Sequence, residues 1–420
     1  MEIIMDLSKL SGIPALSTCH ADKFSIGDGV LPDIADFASK YSRITVVCDQ
    51  NTYEVCGKNV ENILASKVAL CHVFERNGLL IPNEEAVFEL EEAMPKDCDL
   101  IVGVGSGVIN DICKFVSFRK ALEYMIVATA PSMDGYVSKG AAMTWKGMKE
   151  TFSAHTPIAV VGDTSVLASA PMDMIRAGYG DIIGKYSALC DWKLASLVNG
   201  EYFSQPIYDY TMDMVKKTQP LAQKLLERDK DAVGVLTEAL LGAGIAMACL
   251  GNSRPASGSE HHLSHFFEIT GIISGTDYLC HGIDVAFATW MTAAMRERLL
   301  EINDFVPGKV QTRDEYEKEI RRVYGSVADE VIALQDRMGR YSDKEIKRKN
   351  RIYSEKWNEI KEILAEMPSQ DKIRTILESI GLDVNLIYST YSLSHLKDAC
   401  RYAKDLKDRY TVLWLYNCIF

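Results

Sequence analysis

No C-x-x-C pair occurs among the 11 cysteines of this 420-residue chain. An odd, scattered set of thiols in a chain this long excludes a disulfide framework and a zinc ribbon, and it implies reduced cysteines. Positive charge is not in excess either. Against 58 Asp and Glu stand 46 Lys and Arg, a formal net charge of -12. That excludes a general nucleic-acid binder, which carries a basic face, but allows a local basic pocket for an anionic metabolite. The start, Met1-Glu2-Ile3-Ile4-Met5-Asp6, lacks the basic region and apolar core of a signal peptide. The most apolar helix candidate, 239–250, is too short and too glycine-rich to span a bilayer. These absences predict a soluble cytoplasmic protein with neither a membrane span nor a nucleic-acid partner.

Histidine is also scarce, and this scarcity is informative. Of the 8 histidines in the chain, half fall at 261, 262, 265 and 281. Residues four apart lie on one face of a helix, so His261 and His265 point into a common space that His281 can reach from a following segment. Neutral imidazole is the commonest side-chain metal ligand, and such a set with a carboxylate reads as a divalent-metal site. A solvated helix face or a hydrogen-bonded core pair has the same spacing.

A hydrophobic fraction of 47% and a charged fraction of 25% are ordinary for a globular protein. The length allows two domains. Apolar runs at 44–48, 68–74, 100–104, 125–128 and 158–161 alternate with helical patterns such as 82–94. That interleaving predicts a parallel sheet with crossover helices. Runs at 141–145 and 148–152 flank Lys146-Gly147 and predict a projecting β-hairpin. Beyond about 170, strand signals nearly vanish and helical patterns take over at 208–228, 231–250 and 344–366, the last with a charged, solvated face. The predicted organisation is an α/β domain over 1–168 and a helical domain over 169–420, with the boundary near 165–172.

Between the 100–104 strand and the next helix lies Gly103-Val104-Gly105-Ser106-Gly107-Val108-Ile109-Asn110-Asp111. Glycines let the backbone approach a phosphate, and a helix N-terminus supplies N–H groups and a favourable dipole. Such turns also arise from packing alone. The spacing is G-x-G-x-G, not the usual dinucleotide fingerprint, and the following strand ends in Thr129-Ala130-Pro131-Ser132 with no acid. Asp49 ends an earlier strand, where it can accept from ribose hydroxyls or simply cap a turn.

Taken in order, several segments resemble the sn-glycerol-1-phosphate dehydrogenases, of the superfamily of iron-type alcohol dehydrogenases, glycerol dehydrogenases and dehydroquinate synthases. They are Gly103 to Gly107 with Ile109-Asn110-Asp111; Thr129 to Ser138; Ala177-Gly178-Tyr179-Gly180-Asp181 with Lys185-Tyr186 and Asp191-Trp192; Ser253-Arg254-Pro255-Ala256-Ser257-Gly258-Ser259-Glu260-His261; and His281-Gly282. The S-R-P-x-S-G-x-E-H string is the most specific. The similarity covers roughly residues 40–290; the segment beyond carries little recognisable signal.

The resemblance implies a dinucleotide-binding domain, a helical metal-binding domain and an active site in the cleft between them. It implies metal ligation by Asp181, His261 and His281, with His262 a weaker competitor because it points about 100° away around the helix. It implies nicotinamide-cofactor contacts at Gly105, Gly107, Val108, Ile109, Asn110, Asp111, Thr129, Ala130, Pro131, Ser132 and Ser138; Asp49, from its place at a strand end, is the candidate ribose acceptor. Substrate contacts fall on Asp134, Asp181 and His265. The expected reaction is NAD(P)-linked interconversion of glycerone phosphate and sn-glycerol 1-phosphate, with His265 the proton donor and Arg254, then Lys185, the phosphate clamp. A glycerol or other polyol dehydrogenase, or a dehydroquinate-synthase-like cyclase, is the alternative on the same scaffold. Zinc, nickel and iron all accept this ligand set; Asp49 favours NAD over NADP, and a homodimer follows by analogy.

Overall fold

A computed structural model describes residues 10, 13, 21, 23–146 and 148–420. The reading of Met1 to Asp6 and the Gly147 half of the predicted hairpin turn lie outside the described residues. By contact the chain forms two compact units, one of Met1–Ile182 with Asp209–Ser253, the other of Ile183–Tyr208 with Arg254–Phe420.

The first unit is built on a six-stranded sheet. Its strands are β1 (Lys23–Gly27), β2 (Ile44–Asp49), β3 (Val68–Phe74), β4 (Leu100–Gly105), β5 (Glu123–Ala128) and β8 (Ala159–Asp163). The order is β1-β8-β5-β4-β2-β3, and every pairing is parallel. Five of these match the predicted runs. β1 was not anticipated, because Lys23-Phe24-Ser25-Ile26-Gly27 is a short mixed edge segment with no continuous apolar run. The predicted hairpin is present as β6 (Gly140–Trp145) paired antiparallel with β7 (Met148–Ser153). One core face is lined by Val46, Val102, Val104, Met125, Val127 and Val161, each almost wholly buried. Each such side chain contributes on the order of 2 kcal/mol on leaving water.

The helix Lys230–Leu250 belongs to this unit. It is longer than the predicted 239–250 segment and does have the length and composition of a membrane span, but 89% of its apolar window is buried. Burial, not shortness, accounts for its apolarity. The sequence pattern put one cut near 165–172, whereas the units interleave along the chain. Periodicity reports where strands give way to helices; it does not report which core a helix packs against.

The second unit is all helical. Helices Ser259–Ser274 and His281–Leu300 carry the histidines. The helical pattern at 344–366 is two helices, Asp343–Glu355 and Trp357–Leu364. Their apolar residues Tyr353, Trp357, Ile360 and Leu364 share a core with Leu194, Val198, Leu299, Val412 and Leu415. The segment beyond 290 is therefore part of this unit's core.

Candidate active site

In the first unit, strand order reverses between β2 and β4, and the crevice at the carboxyl ends of such strands is where open α/β sheets bind ligands. β2 ends at Asp49, β4 at Gly105. Asp49 caps the short helix that follows: its Oδ1 accepts from the backbone N–H of Asn51 at 2.9 Å and of Thr52 at 2.8 Å. Ser106 then leads into the helix Gly107–Lys120. A Cβ at Gly105 would lie 2.6 Å from Ile109 Cβ, so this glycine lets the helix sit down on its own strand. The same close packing aims the helix N-terminus, with Gly107, Val108 and Ile109, at the crevice mouth.

The loop from Thr129 to Ser138 is held from several directions. Thr129 N–H donates to Gly105 O at 3.1 Å, and Tyr136 OH to Ala130 O at 2.7 Å. A Cβ at Gly178 would fall 1.8 Å from Pro131 O, and one at Gly244 would fall 2.8 Å from Asp134 O. Both helix glycines are needed for the loop backbone to approach. The backbone N–H of Asp134 donates to Asp181 Oδ2 at 3.0 Å, bringing these two predicted residues together.

Lys114, missed from sequence, ties the loop down. Its ammonium donates to Gly135 O at 2.6 Å, Ser138 Oγ at 3.2 Å and Gly140 O at 3.1 Å. Full burial pulls its pKa down to about 8, opposed by the charges of Asp111 and Asp134. Asn110 Nδ2 adds a bond to Asp111 Oδ1 at 3.3 Å and a long one to Gly135 O. A lysine on the buried face of an otherwise apolar helix was the available signal.

In the second unit the rings of His261, His265 and His281 converge. Centroids are 5.1 Å apart for His261–His281, 5.5 Å for His265–His281 and 6.1 Å for His261–His265. His262 makes no ring contact with them among the described residues; it is fully buried among the charges of Lys407, Arg409 and Arg254, and burial with these cations holds its pKa well below the usual value. His261 Nδ1 lies 2.7 Å from Glu260 Oε1, and Ser264 Oγ lies 3.3 Å from His281 Nδ1. A carboxylate on one ring nitrogen fixes the tautomer and directs the other nitrogen toward a metal. Imidazole with carboxylate is donor chemistry that suits a divalent ion, but among the described residues no three His, Cys, Asp or Glu side chains stand close enough together to hold one.

Two buried carboxylates hold this geometry. Glu260 accepts from Gly258 N–H at 2.7 Å, and burial raises its pKa while Lys185, itself fully buried, opposes that. Asp191 accepts from Ser259 N–H at 2.6 Å, Arg296 Nη2 at 2.9 Å and Val412 N–H at 2.8 Å, joining three helices at one carboxyl. Arg254 is engaged by Glu201, with Nη2 donating to Oε2 at 2.6 Å beside a second bond from Nε. Arg409, which nothing in the sequence singled out, adds a second cation here; its Nη1 reaches Ser257 O at 3.5 Å, and burial beside Arg254 pulls its pKa down to about 10.

Residues 25–171 match the family model described as iron-containing alcohol dehydrogenase. The chain is 30% identical over 346 residues to the glycerol-1-phosphate dehydrogenase [NAD(P)+] of Geobacillus thermodenitrificans, covering 81% of this chain and 78% of that one. It is 29% identical over 378 residues to the enzyme of the same name from Halalkalibacterium halodurans, covering 89% and 86%. Among solved structures, its fold is similar to the alcohol dehydrogenase of Oenococcus oeni, with a TM-score of 0.59 at 14% identity, covering 95% of this chain and 98% of that one. The sulfoacetaldehyde reductase of Bifidobacterium kashiwanohense in complex with NAD+ gives 0.58 at 15% identity, covering 91% of each chain.

Proposed function

Since this chain belongs to the glycerol-1-phosphate dehydrogenase family, we propose that it reduces glycerone phosphate to sn-glycerol 1-phosphate, reversibly, with the residues described above in the following roles. It is an NAD(P)-dependent, metal-containing oxidoreductase. When bound, a divalent metal polarises the ketone and steadies the developing negative charge, and the nicotinamide delivers the hydride.

Asp181, His261 and His281 hold that ion, which zinc, nickel or iron can supply. Glu260 orients His261 for it. His265 carries the proton that the reduced carbonyl oxygen takes up. Asp134 accepts from a substrate hydroxyl. Gly105, Gly107 to Asp111, Thr129 to Ser132 and Ser138 receive the cofactor, and Asp49 accepts from its ribose, favouring NAD because a carboxylate repels a 2′-phosphate. Arg254 clamps the substrate phosphate by exchanging Glu201 for it, with Lys185 as the second cation. The enzyme is cytoplasmic and homodimeric.

The observation that carries this reading is the convergence of three imidazoles with Glu260 on the Nδ1 of one of them. The test is NADH oxidation by metal-loaded protein with glycerone phosphate and with unphosphorylated dihydroxyacetone. Metal-dependent turnover of the phosphate ester, lost in Asp181→Ala, is expected. Turnover of the unphosphorylated ketone alone would move the protein to the polyol dehydrogenases.

A further inference from the structure

The second unit contains a cavity that shares no residue with the histidine cluster. It measures about 100 Å³, several times the roughly 10–15 Å³ that one water needs. Five of its lining side chains are cationic (Lys309, Arg340, Lys349, Arg401 and Lys404) and none is a carboxylate. It opens beside an outer basin of about 320 Å³ that shares Lys309, Gln311 and Arg401 with it. In a chain of net charge -12 such a wall is a strong local inversion of sign.

Three of these cations are buried around one indole. Arg340, Lys349 and Lys404 are each only 6% exposed. They stand 5.1, 4.7 and 5.2 Å from the Trp414 ring. Lys404 is answered by Asp405 at 2.8 Å. Arg340 donates to the carbonyl of Asp408 and feels the carboxylates of Glu345 and Asp408, each shared with a further cation, Arg348 and Arg409. Lys349 lies 3.6 Å from Glu345, a carboxylate already engaged by Arg348. The indole face attracts a cation, but by only about 1–2 kcal/mol, which does not offset the mutual repulsion of three desolvated charges. Trp414 also lines the cavity, 7% exposed, and its Nε1–H meets no acceptor among the described residues. Cations short of counter-charge and a buried donor short of an acceptor are met together by one oxyanion.

We propose that this cavity binds a phosphate dianion, either free or as a phosphate monoester, between Arg340, Lys349, Lys404 and the Trp414 Nε1–H. Charge-assisted bonds to its oxygens answer the excess positive charge, and the indole N–H donates to one of them. Burial also draws the Lys349 pKa down to about 8, and a bound dianion reverses that. The inference does not rest on the proposed function.

The test is thermal unfolding of the full chain with inorganic phosphate, with ethyl phosphate, and with chloride at matched ionic strength. Both phosphate ligands are expected to raise Tm by several degrees over chloride; a rise with inorganic phosphate alone assigns the site to the free ion. Asn350→Asp is the discriminating variant. Asn350 lines the cavity and its Oδ1 accepts from Cys418 Sγ at 3.2 Å, a contact that Asp retains. By supplying the missing negative charge, Asn350→Asp should raise the phosphate-free Tm and weaken phosphate binding at least tenfold. Lys349→Met should likewise abolish the phosphate effect. A phosphate-induced rise that is unchanged in Asn350→Asp, that is absent from the wild type, or that disappears instead in Arg254→Ala would overturn the proposal.

Discussion

The two units reach chemically useful geometry by opposite means. In the first, backbone comes close to backbone: Pro131 O occupies the space that a Cβ at Gly178 would need, and Lys114 spends its donors on two carbonyls and a hydroxyl. In the second, buried carboxylates do the holding, Asp191 between three helices and Glu260 against His261. A backbone-built site is broken by adding one carbon, a carboxylate-built site by removing one charge.

That contrast can be broken most severely at Asp191. Asp191→Ala leaves the Arg296 guanidinium buried beside two unanswered N–H groups, and removal of one partner of a buried ion pair costs about 3–5 kcal/mol. Urea unfolding should show that loss; a change under about 1 kcal/mol would mean that the hub is not held by charge. Next comes Gly178→Ala. The obstructing atom is a backbone oxygen that cannot rotate away, so overpacking should cost about 3 kcal/mol. It should also weaken NADH binding in a fluorescence titration, and wild-type behaviour in both would refute the close-approach account.

Glu260→Gln sharpens the comparison with less damage to the fold. The amide oxygen can still accept from Gly258 N–H, but the charge that orients His261 is gone. Loss of such a supporting carboxylate lowers metal affinity about 10–100-fold, measurable by chelator competition, while the unfolding midpoint of the metal-free protein should move little. At Lys114 the effect is read as a pH slope instead of a single loss. Its pKa in the folded protein, about 8, lies below the ordinary 10.5. Below pH 8 both folded and unfolded chains hold the proton, so stability does not depend on it. Between pH 8 and 10.5 the unfolded chain binds more protons, so stability rises with pH by up to about 1.4 kcal/mol per unit. Lys114→Met should remove that rise in a comparison of unfolding free energies across pH; an unchanged slope would show that the ammonium is not desolvated as described.

Much of this was legible in the chain itself. The apolar runs at 44–48, 100–104, 125–128 and 158–161 became strands because a parallel sheet buried on both faces needs continuous hydrophobic segments, and the run at 68–74 became the half-buried edge strand. The helical spacing of His261 and His265 alone determined that their rings share a face, and the rarity of histidine made the cluster visible. Tertiary structure decided the rest. Asp49 caps a turn through its own sequence neighbours Asn51 and Thr52, whereas Asp191 became a three-helix hub only because of what folding brought beside it. Helices between 209 and 253 carry the same periodicity whichever core they join, so no local pattern could assign them to the sheet-bearing unit. Lys349, within 344–366, reads as part of a solvated face, since charge on a helix says nothing about whether an indole from the far end of the chain will cover it.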